Sequence, residues 1–275
     1  MKKLILLFVI YMFSGCLYSQ VLMQDDAVKS KIKENKITEL KIFKTDKIEI
    51  GVTNEDIEFS YSFDNKGNII DKSSYYNGLL IQKEIYNYDS KGNLLEEIWY
   101  NADNVNIFST YLVYEFDAKG NILSKNIYNS DSSIRHSFKY NYNEKGLKSE
   151  AEIKEYFEEG DEYTGIFEYD NSGKLISLKS ISVNGDTLSD ESFVYDDKGK
   201  IIENIISNDE EDKDITNEYD EKGNLINVSE STSDESGKSI EYHELKYNEK
   251  GLVSEELIYD SNKKPVELLK YEYDN

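Results

Sequence analysis

Tyr88-Asp89-Ser90-Lys91-Gly92-Asn93-Leu94 is the stretch on which the reading of this chain turns. It returns as Phe63-Asp64…Gly67-Asn68-Ile69, Phe116-Asp117…Gly120-Asn121-Ile122 and Tyr142-Asn143…Gly146-Leu147. Further on come Tyr169-Asp170…Gly173, Tyr195-Asp196…Gly199, Tyr219-Asp220…Gly223 and Tyr247-Asn248…Gly251. The turn glycines Gly67, Gly92, Gly120, Gly146, Gly173, Gly199, Gly223 and Gly251 follow one another at intervals of 24 to 28 residues. Such a period marks a repeat architecture.

Each unit reads as a hairpin. An Asp or Asn opening a four-residue turn accepts a hydrogen bond from the backbone two residues on, and Gly in fourth place supplies φ > 0. A type I turn closed by a left-handed Gly, with a bulge, is a common hairpin connection. Tyr86, Tyr114, Tyr140, Phe167, Phe193 and Leu245 lie two positions before the motif aromatic, on the same face of a strand. The expected fold is all-β: about eight antiparallel hairpins, with a period of roughly 26 residues. Apolar pairs after the turns (Leu94-Leu95, Ile122-Leu123, Ile201-Ile202, Leu225-Ile226) give way to Glu, Lys, Ser and Asn. That suggests partial cover on both faces of an elongated, twisted or curled single sheet. About 18 strands ~4.8 Å apart would extend roughly 80 Å, well beyond a compact chain's radius of gyration of about 18–19 Å.

The repeated Tyr-Asp-x-x-Gly-Asn-Leu resembles the YD repeats of the Rhs and teneurin type over roughly residues 60 to 275. The resemblance implies a β-sheet shell. The period is longer than usual, and Arg is missing after the turn glycines, where the family usually has Gly-Arg-Leu. Large Rhs proteins carry a toxin domain beyond the shell; here the ending Tyr271-Glu272-Tyr273-Asp274-Asn275 is read as leaving no room for cargo.

Composition fits a thin, wet fold. Hydrophobic residues make up 38%, yet 23 Tyr and 11 Phe argue against disorder. A net charge of −23 and a single Arg, Arg135, speak against nucleic acid as a partner, since phosphate recognition needs cations. Residues 1–20 read as a secretory signal: Lys2 and Lys3, then an apolar run from Leu4 to Phe13 that is too short to span a bilayer. Phe13-Ser14-Gly15-Cys16 resembles a lipobox, making Cys16 a lipidation candidate; cleavage near Ser19-Gln20 is the competing route. The only expected membrane contact is that lipid anchor. The expected address is periplasm, outer membrane or extracellular space, and the expected state is a monomer.

Residues 21–60 read as a degenerate lead-in that caps the array: a short helix over 25–34, a strand over 37–43, and more strand at Ile48–Val52 and Ile57–Phe59. The array proper occupies 61–275. Asn77-Gly78 and Asn184-Gly185 read as I′-type turns, while 101–104, 158–161, 207–214 and 231–239 read as longer loops. Pro265, beside Lys263 and Lys264, reads as the blunted edge of an unpaired last strand.

No catalytic constellation emerges. His136 and His243 stand far apart, Cys16 is the sole cysteine, and there is no nucleophile elbow, P-loop or dinucleotide glycine pattern. Asp212-Lys213-Asp214-Ile215-Thr216 matches a dehalogenase-type string but lacks the apolar strand that must precede it. Among so many carboxylates, no glycosidase pair can be singled out. Glu158, Glu159, Asp161, Asp186, Asp209 to Asp214, Asp234 and Glu235 would crowd one edge and offer oxygen ligands to Ca²⁺, without the Asp-x-Asp-x-Asp-Gly register. Solvated charge is the simpler reading. Trp99 and the Tyr stripes suit sheet packing before sugar stacking. The function expected is that of a non-enzymatic interaction or scaffold module at the cell envelope. The alternatives are an Rhs-like accessory or immunity protein pairing through an open edge, and a carbohydrate-binding surface protein.

Overall fold

A computed structural model describes residues 26–46, 56–156 and 160–275. The signal segment, Cys16, Ile48–Val52, Glu158 and Glu159 lie outside the described residues. At each motif glycine φ lies between +71° and +93°. In the Asp89 turn, Gly92 N–H donates to the Asp89 carbonyl (3.1 Å) and Asp89 N–H to the Asn93 carbonyl (2.9 Å). The Asp89 carboxylate does more than the two-residue contact expected of it. Its Oδ1 accepts from the backbone of Lys91 and Asn93 (2.8 and 2.9 Å), and its Oδ2 from the Asn93 side chain (2.7 Å). Hence the Asn after Gly; the same clasp recurs at Asn68, Asn121 and Asn224. The Asn93 side chain, with the backbone donors behind it, holds the Asp89 carboxyl below the usual range.

The bulge follows directly. Tyr88 pairs with Leu94 but Asn87 with Glu96, which leaves Leu95 as the extra residue. Ile70, Leu123, Ile176 and Ile202 occupy the same place after their turns, and all are exposed. Asn77-Gly78 is the two-residue turn expected, with φ +50° and +72°. Asn184-Gly185 is not: Gly185 N–H donates to Ser182 C=O, as in the motif turns. The spans read as loops at 207–214 and 231–239 are mostly strand, turning only at 209–210 and 235–236.

Eighteen strands are described. They are β1 (Glu39–Asp46), β2 (Asp56–Phe63), β3 (Ile69–Tyr76), β4 (Leu79–Tyr88), β5 (Leu94–Asn101) and β6 (Asn106–Phe116). Next are β7 (Ile122–Asn129), β8 (Ile134–Tyr142), β9 (Lys148–Glu155), β10 (Glu162–Tyr169), β11 (Leu175–Ser182) and β12 (Thr187–Tyr195). The last six are β13 (Ile201–Asn208), β14 (Glu211–Tyr219), β15 (Leu225–Asp234), β16 (Gly237–Tyr247), β17 (Val253–Tyr259) and β18 (Pro265–Asp274). Each pairs antiparallel with its neighbours in sequence. β1 also pairs with β18, from Glu39 opposite Asp274 to Asp46 opposite Glu267. The sheet is a closed up-and-down barrel.

This corrects the elongated single sheet. The lead-in strand is the seam, and Pro265 begins a strand paired on both sides rather than a blunted edge. Proline is tolerated there because it is the strand's first residue, opposite Tyr259 at a bulge. Closure removes the two edges that an open array would expose to other chains. It also corrects the two-faced burial: one face of each strand turns inward, so that in β14 buried Lys213 and Ile215 alternate with exposed Asp212, Asp214 and Thr216.

Motif turns join even- to odd-numbered strands and so share one rim. Helix α1 (Asp26–Glu34) packs at this rim between the first and last motif turns. Its Ile32 is buried with Tyr61, Phe63, Leu252 and Leu269, and Lys31 Nζ donates to Gly251 C=O at 2.6 Å. A smaller core joins Ile127, Phe138, Ala151, Ile153 and Tyr163. Between repeats, the motif Tyr reaches back: the hydroxyls of Tyr88, Tyr142, Tyr195, Tyr219 and Tyr247 donate to Ile69, Ile122, Leu175, Ile201 and Leu225 C=O at 2.7–2.9 Å. A half-buried phenol needs such a partner.

Gly67 and Gly92 make a matched pair. Alanine at either meets an unfavourable φ, about 1–2 kcal/mol. A Cβ on Gly67 would also lie 2.6 Å from Lys29 backbone O, whereas Gly92 faces open space. Urea melts should show Gly67→Ala losing a further ~1–3 kcal/mol. Equal losses would mean that α1 does not seat on this turn.

Candidate interaction surfaces

The barrel interior carries paired charges as well as apolar side chains. Lys213 Nζ meets Glu230 at 2.8 Å, Lys44 meets Glu267 at 2.7 Å, and Lys72 meets Glu84 at 3.3 Å. Tyr86 donates to Glu84, and Trp99 Nε1 to Glu97 at 2.7 Å. Desolvation raises the Glu97 carboxyl above its ordinary value. Pairing is what makes charge tolerable in such surroundings.

The two histidines, undistinguished in sequence, take opposite states. His243 Nδ1 lies 2.8 Å from Glu256 Oε1 and its Nε2 3.0 Å from Glu241 Oε1, while Tyr271 donates to Glu256 Oε2 at 2.5 Å. Burial opposes its charge, but the bonds to Glu241 and Glu256 prevail and push its pKa up to about 9. His136 is pushed down to about 4 by burial, reinforced by the charges of Arg135 and Lys125.

Outside, two regions stand out. The first spans the outer face of β4 to β6. Leu112 packs on the smaller core, so its neighbours Tyr111 and Val113 face outward, 41% and 50% exposed. Ile81 and Ile107 are bulged residues, 52% and 56% exposed. The register sets Ile85 beside Ile98, and Tyr111 beside Tyr128. The second region is a groove of about 370 Å³ across the outer face of β14 to β17.

The sequence candidates fall as follows. The eight turn glycines each sit at positive φ and donate their N–H to the carbonyl of the residue that opens the turn. Asp212 and Asp214 are exposed on the outer face, with Lys213 between them turned inward, so the dehalogenase-like string forms no pocket. Trp99 packs edge-on to Phe108 on the inner face, away from any external sugar. Among the described residues no three His, Cys, Asp or Glu side chains are grouped to hold a metal ion. No described helix is long and apolar enough to cross a membrane. The apolar sector was missed because its residues are scattered over three strands, and only the register assembles them.

No family model and no curated protein matches this chain. Solved structures resemble it at low identity. A porin-like protein from Bacteroides uniformis ATCC 8492 is 11% identical, covering 86% of this chain and 96% of that one, with a TM-score of 0.46. The porin-like protein from Bacteroides vulgatus ATCC 8482 is also 11% identical, covering 72% and 96%, at 0.37. The TcdB2-TccC3-Cdc42 crystal structure is 12% identical and covers 78% of this chain, at 0.37; the match spans only 13% of that chain. All these scores lie below 0.5, and nothing about this chain's activity follows from them.

Proposed function

We propose that this is a non-enzymatic exported module that binds a protein partner at the cell envelope through the apolar outer sector of β4 to β6. The large apolar side chains Ile81, Ile107, Tyr111 and Val113, all exposed on this one sector, carry the reading, because clustered exposed apolar surface marks an interaction site. An accessory protein pairing by strand addition would need an open edge, and the ring has none among the described strands. The residue 1–20 signal supports export. The test is capture from an envelope extract by wild type and by Ile81→Lys/Ile107→Lys, with folding checked by circular dichroism. The double variant should lose at least about tenfold of the wild type's specific partner, one such substitution at a buried contact being worth roughly 1–3 kcal/mol. An unchanged capture profile would overturn the assignment.

A further inference from the structure

The groove on β14 to β17 lies outside the apolar sector, and its chemistry is different. Tyr242 and Tyr259 are register partners on the outer face. Exposed Glu218 and Glu244 stand beside them; Asn227 Nδ2 donates to Glu218 Oε2 (2.8 Å), and Tyr259 OH to Glu244 Oε2 (2.9 Å). Each carboxylate is thus steadied through one oxygen. One cation is already in place: Lys263 Nζ sits 5.0 Å from the centroid of the Tyr242 ring. Lys263 comes from the turn between β17 and β18, where it occupies the glycine position with φ +58°.

An ammonium over a tyrosine face, flanked by carboxylates, is the arrangement that recognises organic cations. The volume suits a small molecule. Two carboxylates outnumber the single lysine, so the site with Lys263 swung aside favours positive charge. We infer that the groove binds a small alkylammonium compound, with Lys263 as a built-in occupant that the ligand displaces.

The probe is choline, titrated by calorimetry or by chemical shift against wild type, Lys263→Gly and Tyr242→Ala. Glycine suits the turn's positive φ, so Lys263→Gly keeps the fold. Choline should bind wild type, bind Lys263→Gly at least threefold tighter, and bind Tyr242→Ala at least tenfold weaker. The neutral isostere 3,3-dimethylbutan-1-ol should bind wild type at least tenfold more weakly than choline. Absence of choline binding, equal affinity for the isostere, or unchanged or weaker binding by Lys263→Gly would each overturn the inference. Binding of maltose without choline would overturn it too, in favour of a saccharide. None of these outcomes bears on the β4 to β6 partner surface, which the capture experiment tests.

Discussion

His243→Leu is expected to destabilise the barrel by about 3–5 kcal/mol, because it strands a buried carboxylate. Glu256 has no exposed surface and is held by His243 and Tyr271. The folded pKa of His243 lies above its unfolded value, so its contribution is complete below about pH 6.5 and is lost as the pH rises through about 9. His136 has the opposite sign. Its folded pKa is depressed to about 4, so its contribution is present above pH 6.5 and disappears as the pH falls through 4. Urea unfolding of the wild type should therefore show stability declining between pH 7 and 9.5. The same decline in His243→Leu would remove His243 as its source.

Leu40→Ala should cost about 2–5 kcal/mol, the usual range for emptying a well-packed core site. Leu40 lies in the lead-in yet has no exposed surface, clustering with Ile42, Tyr61, Leu269 and Tyr271. Closure produces that burial, since β1 is inserted between β18 and β2. Glu39→Ala, on the same strand but at its end, should stay within ~0.5 kcal/mol. If Leu40→Ala were as mild, residues 39–46 would be a peripheral cap rather than part of the core.

The local grammar of the fold was legible in the sequence, and its closure was not. Asp89, Gly92 and Asn93 specify their turn through contacts within five residues, so the repeat discloses the hairpins. Pairing Leu40 with Tyr273 joins the two ends of the repeat array, and no local signal announces it. The inner face was disguised as well. Glu84, Lys213, His243 and Glu256 point inward, while the bulges turn Leu95, Leu123 and Ile202 outward. Hydrophobic alternation is therefore blurred on both faces, which made the sheet look half-covered on each. The apolar sector and the groove are products of cross-strand register, visible only once neighbouring repeats are aligned.

The ring itself is tested most directly by a disulfide across the seam. Lys41 and Glu272 are partners on β1 and β18, both outward-facing. Antiparallel partners have Cα atoms about 4.5–5.5 Å apart, within the range a disulfide spans. In a Cys16→Ser background, dilute Lys41→Cys/Glu272→Cys protein should oxidise to an intramolecular disulfide, read as a loss of two free thiols in a monomer of unchanged mass class. An open array would hold these strands roughly 80 Å apart. Two reactive thiols persisting in the monomer, or disulfides only between chains, would contradict the closed barrel.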